Sequence, residues 1–182
     1  MEEMLILVDH SDTVVGYAPR RECHAGDGKL HRAIALLLFN REGNILLQRR
    51  RSLLWDDVWD ITAATHPLHH SQYDESYEDA SQRCLQSEWN IASSVERVLS
   101  FVYFERLREF CEHEYCVLLA GRYDGPARFN PAHAYDMRWV SFATCQLEIR
   151  QNPSEYTPWA RIALEQLRAH PLAKRLMPQR LP

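Results

Sequence analysis

The sequence predicts a layered α/β or α+β domain, in which strands interleave with a small number of helices. Apolar runs of strand length recur from the N-terminus through residue 142. Ser76 to Trp89 contains neither Gly nor Pro and has helical spacing. Thr157 to Ala169 is amphipathic, with Thr157 placed to cap a helix and Pro158 at its first position.

In chain order, Met4 to Val8 and Thr13 to Tyr17 read as a hairpin across the polar turn Asp9 to Asp12. Pro19 to Gly28 is a polar connection ending in Gly26-Asp27-Gly28. Arg32 to Phe39 is almost wholly apolar, as a strand buried on both faces must be, and Asn44 to Gln48 follows after a turn. Trp55 to Asp60 reads as a loop with two large anchors, and Ile61 to Thr65 as extended chain before His66-Pro67. On the internal helix, Tyr77, Ala80, Cys84 and Glu88 share one stripe, which turns the Glu88 carboxylate inward. Val98 to Phe104, Tyr115 to Ala120 and Met137 to Phe142 are further strands.

The chain has 182 residues, a length expected of one domain across 1–182. Hydrophobic residues make up 46%, enough for a sizeable core. A formal net charge of −4 argues against a nucleic-acid binder that works by neutralising phosphates. The opening residues lack a basic start and a signal-type apolar stretch, and no run has transmembrane length, so no membrane partner is expected. Five cysteines at irregular spacing fit reduced thiols in a cytoplasmic chain better than a disulfide framework.

Chemistry concentrates at a handful of residues. His24 and His31 flank a glycine-containing turn before the buried strand, and His66 follows a strand and is locked by Pro67. Glu112 and Glu114 lie two apart, so on a strand both carboxylates point to one face. Three imidazoles and two carboxylates make a mixed nitrogen and oxygen set for a divalent metal, anywhere from Zn²⁺ to Mn²⁺, provided they converge. An oxygen ligand such as Glu88 suits Mg²⁺ that also holds a substrate diphosphate. Each residue also has a plainer reading: solvent-facing histidines near turns, carboxylates on the wet face of an edge strand, a glutamate at a frayed helix end. A polar loop accounts for His69 and His70, and His10, His113 and His133 are read the same way.

Taken in order, the motifs resemble those of type I isopentenyl-diphosphate isomerase, a member of the Nudix superfamily. Cys23-His24 with His31-Arg32-Ala33 resembles the family's paired N-terminal histidines. Leu37 to Arg50 is similar to its strand-turn-strand, Val58 to Pro67 to its tryptophan segment ending in His-Pro, and Glu78 to Ile91 to a reduced Nudix helix. Glu112 to Glu114 resembles its Glu-x-Glu, and Tyr156 to Trp159 its late tryptophan segment.

The resemblance implies a Nudix-type α/β/α sandwich around a mixed β-sheet and interconversion of isopentenyl and dimethylallyl diphosphate. A proton is added on one face of the double bond and another is removed from the opposite face. It implies that His24, His31, His66, Glu112 and Glu114 bind one metal (Mn²⁺ or Zn²⁺) and that Glu88 helps hold Mg²⁺ on the small-molecule diphosphate. Glu114 would donate the proton. Tyr103 and Trp159 would wall the tertiary cation with ring faces, and Arg20 and Arg50 would contact the diphosphate. The chain departs from the family pattern at Ala64, where the family carries its catalytic cysteine. Opposite-face proton work would then fall to Thr62 or Thr65, a bound water, or a thiol such as Cys111. The Nudix box is eroded too: Glu75 and Glu88 survive of its acids, and His69 and Asn90 stand at its glycines. Alternatives are a Nudix diphosphate hydrolase and a non-catalytic diphosphate-binding paralogue.

Overall fold

The computed structural model describes residues 2–171. The elements run β1 (Met4–Val8), β2 (Val14–Pro19), α1 (Arg20–Cys23), β3 (His31–Phe39), β4 (Asn44–Arg50), β5 (Trp59–Asp60), β6 (Ala63–Thr65), β7 (His69–His70) and β8 (Tyr73–Asp74). They continue with α2 (Tyr77–Trp89), β9 (Val95–Leu107), β10 (Phe110–Arg122), β11 (Ala134–Ser141), α3 (Phe142–Gln151) and α4 (Pro158–Ala169). All the strands but the small β7–β8 hairpin join one mixed, curled sheet.

β3 is its centre. Along one edge β10 runs parallel to it from His31 opposite Glu114 to Phe39 opposite Arg122. The other edge is shared in turn by β1 at His31, β6 at Ile34 to Leu36 and β4 at Phe39. Alternate β3 side chains feed two cores. Ala33, Ala35, Leu37 and Phe39 pack with α3 and α4, whereas Ile34, Leu36 and Leu38 pack with α2. Helices therefore cover both faces, which is the α/β/α sandwich expected. Among the described residues no helix is long and apolar enough to cross a membrane.

The helix ends follow local chemistry. Ser76 and Asp79 form a reciprocal capping box at the start of α2. Asn90 stops the helix in the left-handed region at φ 53° and serves as its C-cap without a glycine. The buried stripe of α2 is fuller than the spacing suggested, since Ser81, Leu85 and Trp89 join Tyr77, Ala80 and Cys84.

Several boundaries differ from expectation. Trp59 and Asp60 leave the expected loop to pair with β4. β9 and β10 extend well past their apolar centres into a ribbon with polar outer residues. Phe142 is the first residue of a helix, α3, capped by the Ser141 hydroxyl, rather than the last of a strand. No Gly or Pro marks that junction, so spacing alone did not separate the two elements.

Candidate metal centre and adjoining cavity

β10 assembles the site. The parallel register sets Glu114 opposite His31, and the antiparallel register with β9 sets it opposite Tyr103. One row across three strands thus holds an imidazole, a carboxylate and a phenol. Glu112 lies two residues earlier on the same face. α1 ends at His24, and the turn to His31 brings the second imidazole back. His66 arrives just after β6, which pairs with β3.

All five side chains are buried, and one donor atom from each lies within 4.8 Å of the others. The imidazole centroids form a near-equilateral triangle with sides of 4.8, 5.1 and 5.0 Å. His24 Nδ1 is 2.8 Å from the Arg20 carbonyl and His31 Nδ1 is 2.7 Å from the Lys29 carbonyl. A carbonyl only accepts, so both rings donate through Nδ1 and aim the Nε2 lone pair inward. Neither Nε2 has a hydrogen-bond partner, nor does Glu112 Oε2, although His24 Nε2 approaches that oxygen to 3.0 Å. Buried lone pairs left facing one another are costly unless something electropositive lies between them. The donor set therefore fits a divalent cation, with the carbonyl contacts fixing the imidazole tautomers from behind.

Protonation follows from burial. It pushes Glu112 and Glu114 above the ordinary carboxylate range, with their mutual repulsion adding to the effect at Glu112. It pulls His31 and His66 well below the ordinary imidazole value, and neighbouring positive charges add to this. Burial also opposes charge on His24, but Glu112, the Arg20 carbonyl and Glu114 together outweigh it and the imidazole is raised overall. Glu114 is further held by the Tyr103 hydroxyl, which donates to Oε2 at 2.6 Å, and by His66 Nε2 at 3.0 Å from Oε1.

A cavity opens beside the cluster. Arg20, Arg50, Ala64, Thr65, Cys116 and Trp159 line it together with His66 and both glutamates. Arg50 stacks on the Trp159 indole at 5.0 Å, and its Nη1 meets Asp60 Oδ2 at 3.0 Å. Asp60, fully buried, also accepts from the Thr157 hydroxyl at 2.8 Å. One carboxylate thereby joins Arg50 to the cap of the helix that carries Trp159. Arg20 is exposed at the cavity edge and paired with Glu3 at 2.8 Å. Tyr103 is tilted towards Trp159 at 6.5 Å.

Two expectations need correction. The Thr62 hydroxyl donates to the Leu46 carbonyl and accepts from Leu38 N, so it is spent on the core. Cys111 has the opposite strand parity from Glu112 and packs behind Gly28. Of the proton-carrying candidates Thr65 reaches the cavity, and Cys116, two residues after Glu114, joins it. Glu88 does not line the cavity. It is half-buried on the sheet side of α2, accepting from Gln48 Nε2 at 3.1 Å and from the Cys84 thiol at 3.4 Å. Burial raises its pKa, and the charge on Arg50 partly offsets this. Asp60 had no motif to announce it, and Trp55, a large loop anchor in the sequence, had nothing to announce Trp159 as its partner.

Gly28 is required by this geometry. Its φ is +64°, and a Cβ there would lie 2.6 Å from Cys111 Sγ and 2.8 Å from the Cys23 carbonyl. Gly28→Ala is expected to lower stability by about 2 kcal/mol, read from thermal unfolding, because the turn can neither relax its φ nor move off the backbone oxygen.

A NUDIX domain model matches residues 29–160. The Deinococcus radiodurans protein DR0079 superposes with a TM-score of 0.72 at 21% identity, covering 90% of this chain and 98% of that one. The MutT protein from Methanosarcina mazei gives 0.58 at 19% identity, covering 75% and 91%. These likenesses fix the class as a Nudix fold. Among sequence relatives, isopentenyl-diphosphate Delta-isomerase 2 of Aromatoleum aromaticum is 31% identical over 92% of this chain and 87% of its own length. The isopentenyl-diphosphate Delta-isomerase of Nocardia farcinica is 34% identical over 87% and 91%. The chain belongs to the Nudix superfamily and, within it, to the isopentenyl-diphosphate Delta-isomerase family.

Proposed function

We propose that this chain is a divalent-cation-dependent isomerase that interconverts isopentenyl and dimethylallyl diphosphate. The observation that carries the reading is the meeting of five buried donors, three of whose inward atoms lack a hydrogen bond. His24, His31, His66, Glu112 and Glu114 would hold a Mn²⁺ or Zn²⁺ ion, whose positive charge would hold the two adjacent carboxyl groups in place and offset the repulsion between them. Arg20 and Arg50 would take the diphosphate oxygens, since guanidinium groups suit them. Glu88 lies outside the cavity lining but within the field of Arg50, so it would serve Mg²⁺ on the same diphosphate only from the Arg50 side.

The remaining roles rest on this chain's own side chains. Glu114 faces both the imidazoles and the cavity, and the Tyr103 hydroxyl fixes one of its oxygens, so it is placed to hand a proton to a bound double bond. The Trp159 ring lines the cavity and the Tyr103 ring lies behind it, with centroids 6.5 Å apart; their faces would favour the cationic carbon that protonation creates. The proton on the opposite face would leave by way of Thr65 or a water beside Ala64.

The test combines Mn²⁺ titration followed by electron paramagnetic resonance with proton NMR of isopentenyl diphosphate in D₂O. One tightly bound ion and deuterium in the dimethylallyl product are expected; a chain that binds no Mn²⁺ and exchanges no deuterium defeats the reading. Ala64 lines the cavity at the family's cysteine position and favours one competing reading, a diphosphate binder without turnover. Ala64→Cys separates the two. Restoring a positioned proton carrier is expected to raise the isomerisation rate by about 10² or more. No gain despite intact diphosphate binding would favour the non-catalytic reading.

A further inference from the structure

The cavity beside the metal centre is small. Its volume is about 40 Å³, space for roughly three water molecules. Trp159 forms one wall, and the ring of Trp55 meets that indole edge-on, with centroids 5.5 Å apart and planes at 78°. Trp55 also borders a second space, a groove of about 850 Å³. Leu54, Val58, Leu107, Phe110 and Pro158 supply an apolar part of its lining. Cavity and groove follow one strand face, because Phe110 stands two residues before Glu112 on β10, ~7 Å along the strand.

The segment that carries Trp55 is strained. Trp55 has φ 51° and Asp57 has φ 57°, both in the left-handed region that disfavours residues with a Cβ. Such a conformation persists where its surroundings fix it, and for Trp55 the fixed point is the ring contact with Trp159. The charges at the groove are balanced rather than anion-selective: Arg106, Arg108 and Arg161 stand among Asp56, Glu105 and Glu109. Arg106 is occupied by Asp27 and the Gly26 carbonyl, and Glu105 and Glu109 lie beside it. The anionic end of a ligand therefore belongs with Arg20 and Arg50, and an apolar end belongs in the groove.

We infer that Trp55 sets the length of hydrocarbon the site accepts, dividing a cavity fit for a short branched chain from a groove that would hold the continuation of a longer prenyl diphosphate. The inference rests on the diphosphate reading above. Removing the Trp55 indole carries the groove up to Trp159, the wall of the cavity, and leaves the metal cluster and both arginines in place.

The experiment is calorimetric titration of Mn²⁺-loaded protein with isopentenyl diphosphate and with geranyl diphosphate, on wild type, Trp55→Ala and the milder Trp55→Leu. Wild type should favour the five-carbon ligand. Trp55→Ala should bind geranyl diphosphate about tenfold or more tightly than wild type does, while its affinity for isopentenyl diphosphate stays within about threefold. Trp55→Leu should fall between. Adding Phe110→Arg to Trp55→Ala should cancel the gain, because it places a charge in the path of the tail. The inference is overturned if either folded variant binds isopentenyl diphosphate normally with no gain for the longer ligand, or if wild type already binds both equally. Wild type that binds neither diphosphate overturns the functional reading itself, and the inference with it.

Discussion

Glu114→Gln is expected to lower isopentenyl diphosphate turnover by about 10³-fold and to weaken Mn²⁺ binding at least tenfold. The exchange keeps size and shape, so the Tyr103 hydroxyl retains an oxygen to donate to and the sheet register is undisturbed. What is lost is the carboxylate charge facing His66 at 3.0 Å and His31 at 3.8 Å, and with it the group's capacity to take up and release a proton. Paramagnetic resonance and NMR read the two losses separately. Unchanged cation affinity would remove Glu114 from the donor set, and unchanged turnover would remove it as proton donor.

Asp60→Ala is expected to destabilise the protein by about 3 kcal/mol, a fall of roughly 6–12 °C in melting temperature. Burial raises the pKa of this carboxylate, and it stays useful because Arg50, the Thr157 hydroxyl and the Ile61 amide all converge on it. Truncation leaves the Arg50 charge with half its partners gone and frees the capping hydroxyl at the start of α4. The cost of a pair broken from one side exceeds the net worth of the pair itself, since the other charge is left stranded. Differential scanning calorimetry of Asp60→Ala against Asp60→Asn checks this; the amide keeps part of the hydrogen bonding and should lose less.

The sequence made much of this legible where chemistry is local. Thr157 and Pro158 mark a helix start because capping needs particular side chains at particular steps, and α4 begins there; Ser76, read as the first helical residue, is instead the cap of α2. The pairing of Glu112 with Glu114 follows from strand parity. The same parity puts Cys116 with them and Cys111 on the reverse, but spacing alone does not say which face meets the cavity; the β3–β10 register does. The convergence of His24, His31 and His66 had no local signature. Motif order pointed to it, and the curl of the sheet brings it about. The roles of Asp60 and Trp55 stayed hidden for the same reason: one residue acts across 97 positions on Thr157, and the other is defined by a ring more than a hundred positions away. The α3 boundary was illegible because Ser141 to Phe142 changes from extended to helical with no glycine or proline between them.

The parallel pairing of β3 with β10 bears on biosynthesis. The three histidines leave the ribosome long before either carboxylate, and the nearest of them must wait with an empty strand edge until residue 114 has emerged. A nascent chain therefore cannot bring the five donors together until β10 has docked on β3, so the cluster forms late in synthesis.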